Sequence, residues 1–141
     1  MIFPQQVDTA AQQTAATLPL YRDWAYDFER DRLKLKGGRT YLIEGAEALK
    51  VWIYKALRTK RYAHAAYSLC YGHSFARIRG ETNFDVVQQA LRRLITEALT
   101  VSPYITGVDG FYFERLDEGV RAHCHVHTVY GDIPITSEVT V

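Results

Sequence analysis

Apolar and polar positions begin to alternate regularly near residue 20. Trp24, Tyr26 and Phe28 alternate with small or acidic residues, which is the two-residue period of a half-buried strand. Residues 31–45 continue the alternation on both sides of Gly37-Gly38, a dipeptide typical of tight hairpin turns. The pattern predicts an N-terminal β-hairpin. Residues 1–19 have no sustained period and are predicted to form a mobile arm rather than a helix.

Two stretches have the three- and four-residue spacing of amphipathic helices. The first helix is predicted over roughly residues 44–58, with a buried face of Ala46, Leu49, Trp52, Ile53, Ala56 and Leu57. The second is predicted to begin after Thr82 or Asn83, since either side chain is a suitable N-cap. Its buried face is Phe84, Val87, Leu91, Leu94, Ile95, Ala98 and Leu99. Between the helices, residues 73–80 are predicted to form one helical turn with Phe75 and Ile78 inward.

The last third of the chain has the pattern of strands. Residues 105–116 and 120–130 flank Asp117-Glu118-Gly119 and are predicted to pair as an antiparallel hairpin. The tail 135–141 alternates and is rich in β-branched residues, so it is predicted to add a strand or to offer an edge to a neighbour. The predicted fold is α+β, with two main helices packed on a small C-terminal antiparallel sheet and an N-terminal β-hairpin.

Composition narrows the class of protein. The 141 residues are predicted to form a single domain over residues 20–141, with 48% apolar residues and a net charge of +1. That charge implies no general attraction to nucleic acid or anionic lipid. No apolar run approaches the ~20 residues of a membrane span, and the N-terminus lacks a signal-peptide pattern. We therefore expect synthesis in a cytoplasm and no membrane partner.

Three histidines are the candidates for metal binding. His123, His125 and His127 would share one face of a strand, about 7 Å apart between Cα atoms, which suits a shared ion. No carboxylate stands in this alternation, and Cys124 points to the opposite face. The pattern therefore favours a solvated strand face, and we predict no metal site and no cofactor.

Catalytic constellations are weak throughout the sequence. Cys70 and His73 lack a turn motif that would expose a nucleophilic thiol. Nothing sets any two of the candidate carboxylates at a catalytic separation; these are Glu44, Glu47, Asp109 and Glu114. The pattern therefore favours a binding or assembly module over an enzyme.

Residues 59–72 join the helices in an elbow that combines cations and aromatic rings. Together with flanking motifs this elbow resembles the small baseplate proteins of myophage-type prophages. Those proteins are similar in turn to the baseplate wedge and sheath-initiator proteins of contractile phage tails, R-type bacteriocins and related injection machines. The resemblance extends from about Trp24 to the C-terminus and rests on Trp24-x-x-Asp27-Phe28, Gly45-x-Glu47-Ala48-Leu49-x-x-Trp52-Ile53-x-Lys55-Ala56-Leu57-x-Thr59-x-Arg61-Tyr62, Tyr67-Ser68 and Tyr71-Gly72.

The resemblance implies a structural protein of the tail baseplate that links wedge proteins to the first sheath disc and initiates sheath assembly. Its partners would be baseplate wedge proteins and the tail sheath protein, with tail tube or hub proteins as further candidates. A lysozyme-like glycoside hydrolase of the tail and a generic α+β interaction module are the alternatives.

The resemblance also implies two interfaces. The wedge-binding candidates at the elbow are Lys55, Thr59, Arg61, Tyr62, Tyr71 and Gly72. The wider family docks there through Glu-Pro-Arg, whereas this chain has Arg61 without the acid or the proline. The sheath-binding candidates are Ile135, Ser137, Val139 and Val141, on an edge that could accept a strand from a sheath subunit.

Overall fold

The computed structural model describes residues 18–60 and 72–140. The predicted site residues Arg61, Tyr62, Tyr71 and Val141 lie outside these ranges. So do Cys70 and nearly all of the predicted N-terminal arm. The predictions for these residues remain predictions.

The N-terminal β region consists of three short two-stranded ladders instead of one continuous hairpin. Strand β1 (Arg22–Trp24) pairs with β6 (Leu42–Glu44), β2 (Tyr26–Asp27) with β3 (Arg32–Leu33), and β4 (Leu35–Lys36) with β5 (Arg39–Thr40). The predicted turn is present, because Gly37 and Gly38 form a two-residue hairpin loop with φ of +61° and +79°.

The side chains that face the core in this region differ from those that the alternation indicated. Trp24 is 46% exposed and lies opposite Leu42, whereas Ala25 is 2% exposed. The first helix packs directly against β1, so the small alanine takes the inward position and the bulky indole projects outward. The alternation identified a strand but assigned its faces the wrong way round.

The two main helices are present as the sequence pattern predicts, but in the predicted buried face of the first helix Ala46 is exposed and Trp52 is only half-buried. Helix α1 spans Ala46–Arg58 and helix α2 spans Phe84–Leu99. Helix α1 begins two residues later than predicted because Glu44 is still paired in β6 and Gly45, with φ of +70°, makes the turn. Asn83 is the N-cap of α2, since its Oδ1 accepts the N–H of Asp85 at 3.0 Å. A 3-10 turn, Phe75–Ile78, buries both of its predicted apolar residues.

The C-terminal sheet is a three-stranded antiparallel meander. Strand β7 spans Ile105–Arg115, β8 spans Gly119–Thr128 and β9 spans Gly131–Thr140, in the order β7-β8-β9. The predicted hairpin between β7 and β8 is confirmed, and β9 begins four residues earlier than the pattern suggested. Strand β9 therefore contains Pro134, which is tolerated on an edge strand.

One hydrophobic core joins both helices to one face of the sheet. The helices contribute Leu49, Ile53, Leu91, Leu94 and Leu99, and the sheet contributes Val120, Ala122, Cys124, Val126, Ile135 and Val139. The predicted α+β fold is confirmed.

Tyrosines fix the start of the N-terminal β region to the C-terminal sheet. The Tyr104 hydroxyl donates to the carbonyl of Pro19 at 2.7 Å, and the Tyr130 hydroxyl accepts the N–H of Tyr21 at 2.9 Å. The rings of Tyr21 and Tyr104 lie 5.2 Å apart. The described chain is thus anchored as early as Pro19.

Candidate assembly surfaces

Strand β9 is an edge of the C-terminal sheet, and Pro134 shows which of its residues face outward. A proline nitrogen carries no hydrogen, so it occupies a ladder position whose nitrogen points away from the neighbouring strand. Main-chain polar groups alternate sides along a strand, so Thr136 and Glu138 also direct N–H and C=O away from β8. The intervening residues direct these groups toward β8, and the carbonyl of Val139 accordingly lies close to Gly119 of β8. Thr136–Thr140 is therefore the part of the β9 edge open to strand addition.

The predicted sheath-binding side chains are in the inward phase of β9. Ile135 and Val139 are buried in the core and Ser137 is half-buried. Any contact with a partner strand across this edge would use the main chain of the intervening residues. The prediction that a strand is added at these residues stays a prediction.

An open groove of about 950 Å³ runs beside the β9 edge. One wall is Thr136 and Glu138, and the other is formed by α1 and by β2 with the turn that follows it. The rings of Phe28 and Tyr54 are 4.5 Å apart in that wall, and the Arg58 guanidinium lies 5.4 Å from the Phe28 centroid. An added strand would thus lie beside aromatic side chains and a cation.

The two ends of the elbow lie together. The N–H of His73 donates to the carbonyl of Thr59 at 2.9 Å, and Lys60 forms an isolated parallel bridge with His73. Gly72 is buried and has φ of +98°, a left-handed conformation that favours glycine. Two predicted wedge-binding residues, Thr59 and Gly72, therefore shape the point where the elbow begins and ends.

Lys55, the other described wedge candidate, already makes contacts within the fold. Its Nζ lies 3.5 Å from Asp23 Oδ1 and 5.6 Å from the centroid of the Tyr26 ring. These contacts tie α1 to the N-terminal β region. A role for Lys55 in wedge binding stays a prediction.

A second cleft, of about 310 Å³, connects the elbow to the end of β9. Lys60, His73 and Arg79 line one side, and Glu138 and Thr140 line the other. Burial and the nearby Lys60 charge lower the pKa of His73, so its ring is neutral near pH 7. The sequence predicts two separate interfaces at the elbow and at the terminal strand. Only the tertiary fold brings them together.

The three histidines of β8 lie on the sheet face opposite the helices, as the alternation predicts. His127 lies between two aspartates, with Nε2 2.7 Å from Asp109 Oδ1 and Nδ1 2.6 Å from Asp132 Oδ1. His123 contacts Glu114 Oε2 and Thr136 Oγ1, each at 3.0 Å. Neighbouring strands thus supply the carboxylates that the alternation of β8 lacks.

This arrangement joins the three strands by hydrogen bonds and ion pairs. The hydrogen bonds to Asp132 and then Asp109 raise the pKa of His127. Arg121 extends the network, with Nη2 2.9 Å from Glu138 Oε1 and Nη1 3.4 Å from Glu114 Oε2. Within residues 18–60 and 72–140, no group of three His, Cys, Asp or Glu side chains is disposed to hold a metal ion.

Three of the four carboxylates considered for catalysis, Glu44, Asp109 and Glu114, have structural partners. Glu44 pairs with Arg22 at 3.0 Å, and the hydrogen bond from His123 lowers the pKa of Glu114. A general acid needs a raised carboxyl pKa, so this environment opposes that role for Glu114. Cys124 is buried, and burial raises the pKa of its thiol to about 11. No helix in the described part of the chain is long and apolar enough to cross a membrane.

Comparison with known proteins identifies the family. The family model described as "contractile injection system sheath initiator" matches residues 22–131. The chain belongs to the sheath initiator family. This sheath initiator is also 32% identical over 111 residues to the phage-like element PBSX protein XkdS of Bacillus subtilis (strain 168), covering 77% of this chain and 75% of that protein. These matches support a structural role in a phage-tail-like contractile particle, and the family match ends at the first residue of β9.

Proposed function

We propose that this sheath initiator is a component of the tail baseplate that links wedge proteins to the first sheath disc and starts sheath assembly there. The observation that supports this most is the open β9 edge beside the elbow. A single small domain would then have one surface for the wedge and an adjoining surface for the sheath. The role needs no catalytic group and no cofactor.

The sheath interface would form by strand addition at β9. Thr136–Thr140 has outward main-chain donors and acceptors that β8 does not use, and these can pair with a strand from a sheath subunit. Pro134 would limit that pairing at one end, because it has no N–H to donate. The partner strand is therefore expected to pair with the C-terminal half of β9.

The groove beside β9 would supply specificity. Side chains of an added strand alternate between the two faces of the sheet, so every second one would lie against the α1 side of the groove. The rings of Phe28 and Tyr54 there favour aliphatic or aromatic side chains.

The wedge interface would form at the elbow. Arg61 corresponds to the arginine of the family motif, and Tyr62 and Tyr71 stand near the two ends of the same segment. Lys60 and His73, which stand on either side of residues 61–71 in the sequence, form a bridge and line the cleft that reaches Glu138 and Thr140. A partner bound at the elbow would therefore adjoin one bound at β9, which supports a direct mechanical connection between wedge and sheath.

Replacing Thr136 by proline tests the strand-addition step. Thr136→Pro removes an outward N–H that β8 does not use, so the domain is expected to fold while partner pairing is blocked. Thr136→Val is the matched control, since it removes the hydroxyl that contacts His123 but keeps the N–H.

We expect particles with Thr136→Pro to contain baseplates and tubes but little polymerised sheath in electron micrographs. Particles with Thr136→Val should have normal sheaths. Normal sheaths on Thr136→Pro particles, with the variant confirmed to be present and folded, would contradict the proposal.

A further inference from the structure

We propose that residues 32–40, termed the basic hairpin, dock onto an acidic surface of a partner protein. The basic hairpin consists of β3, β4 and β5 with the Gly37-Gly38 turn, and all nine of its residues are exposed. Lys34 of the basic hairpin also lines the groove beside β9, but docking by the basic hairpin does not require strand addition there.

The tip of the basic hairpin carries two like charges opposite each other. Lys36 and Arg39 are directly paired across the β4–β5 ladder, so their side chains project to the same face. Like charges at this position destabilise a hairpin, and a ladder of two pairs has little packing to compensate. A bound carboxylate would remove the repulsion.

Asp27 is near enough to Lys34 for their charges to interact, but within the described part of the chain no carboxylate pairs directly with the cations of the basic hairpin. Across residues 18–60 and 72–140, no carboxylate oxygen lies within ion-pair distance of Arg32, Lys34, Lys36 or Arg39. The nearest acids in sequence are otherwise engaged: Asp31 accepts from the Tyr26 hydroxyl at 2.6 Å and lies 3.6 Å from Arg58. Asp27 Oδ1 accepts the N–H of Glu29 at 3.0 Å.

A concave surface beside the hairpin extends the cationic area. An open cleft of about 450 Å³ is lined by Arg30, Arg32 and Lys34, with Tyr41 at its wall. Asp27 is the one carboxylate in that lining, and its hydrogen bonds with the N–H groups of Arg30 and Glu29 lower its pKa. Asp27 also pairs with Arg30 at 3.9 Å, so Arg32 and Lys34 are the cations of the lining that have no paired carboxylate, although the chain's net charge is only +1.

Apolar side chains next to the cations indicate a protein partner. Leu35 is 63% exposed within the basic hairpin, and Leu33 is 41% exposed. Trp24 and Leu42 form a further exposed cross-strand pair in the same β region. A phosphate backbone offers no aliphatic surface to such residues, whereas an acidic protein surface with apolar side chains does.

Binding of synthetic peptides to the full-length chain tests the proposal. A fluorescein-labelled Glu-Glu-Leu-Glu-Glu-Leu-Glu-Glu peptide is compared, by fluorescence anisotropy at low salt, with its Gln-for-Glu counterpart and with an eight-nucleotide single-stranded DNA. We expect the acidic peptide to bind most tightly and to shift amide NMR signals of residues 32–40.

Charge variants locate the effect on the hairpin. Lys36→Gln/Arg39→Gln should weaken acidic-peptide binding about tenfold, as expected for loss of two exposed charge contacts. The swap Lys36→Arg/Arg39→Lys keeps both charges and should bind as the wild type does. Arg77→Gln/Arg93→Gln removes two exposed charges elsewhere and should leave binding unchanged.

Four results would overturn the proposal. They are equal binding of the Gln peptide, tighter binding of the DNA, unchanged binding by Lys36→Gln/Arg39→Gln, and self-association of the wild type that the same variant abolishes. Unchanged binding by the variant would place the binding site for the acidic peptide elsewhere. Self-association that the variant abolishes would assign the surface to a second copy of this chain.

Discussion

The main-chain N–H of His73 and the carbonyl of Thr59 form a 2.9 Å hydrogen bond that joins the two ends of the elbow. The junction lies beside a cleft whose opposite wall is Glu138 and Thr140 at the end of β9. Lys60 and His73, the described residues near the two ends of the elbow, therefore lie next to the edge proposed for the sheath. This adjacency underlies the account of one domain contacting both wedge and sheath.

Substitution of Arg61 tests the wedge interface. We expect Arg61→Ala to reduce the amount of this chain in purified particles and to yield few complete baseplates, because a guanidinium that contacts a partner's carboxylates is lost. Arg77→Ala, at an exposed position outside the elbow, is the control and should assemble normally. Normal baseplates with Arg61→Ala would show that wedge docking does not depend on this arginine.

Much of this fold could be predicted from period and turn chemistry alone. The apolar spacing of α2, the Gly37-Gly38 turn and the alternation of β8 all depend on local rules that the fold respects. The inward phase at Ala25 could not be predicted, because it depends on how closely α1 packs against β1. The partners of His127 were missed for a related reason, since they come from two other strands.

The candidate site could likewise be predicted only in part. The pattern of residues 135–141 indicated an edge strand, but Pro134 and the buried Ile135 decide which main-chain groups are free. The nearness of His73 to Thr140 follows only from the tertiary fold, since the two residues are far apart in the chain.

The close approach of β8 and β9 at Gly119 predicts a stability effect. A β-carbon at this position would collide with the main-chain carbonyl of Val139, so Gly119→Ala should lower the free energy of unfolding by about 1–3 kcal/mol. Gly107→Ala is the matched control, because a β-carbon there has nothing within 4 Å. Chemical denaturation measures both. Equal stabilities of the two variants would show that β9 does not pack against β8 in this register.

The N-cap of α2 gives a second stability prediction. Asn83→Ala should cost about 0.5–2 kcal/mol, because the N–H groups of Asp85 and Val86 lose a side-chain acceptor. Thr82→Ala should cost less, since the Thr82 side chain does not cap the helix. A larger loss of stability for Thr82→Ala than for Asn83→Ala in thermal unfolding would show that Asn83 is not the cap.

The ion pairs of His127 predict a pH dependence of stability. Hydrogen bonds to Asp132 and Asp109 raise the pKa of His127 above its ordinary value of about 6.5. Its stabilising contribution is therefore complete below about pH 6.5 and is lost as the pH rises through the folded-state pKa. His127→Gln should remove this alkaline decrease in melting temperature, whereas His125→Gln should retain it. The same decrease in both variants would exclude His127 as its source.

The central claim is that β9 accepts a strand of the sheath while the adjoining elbow contacts the wedge. A cryo-electron microscopy map of the assembled particle tests it most directly. We predict main-chain pairing between Thr136–Thr140 and a sheath strand, with Arg61 against a wedge subunit. A map in which the β9 edge faces solvent or another baseplate protein, with no sheath strand beside it, would contradict the account.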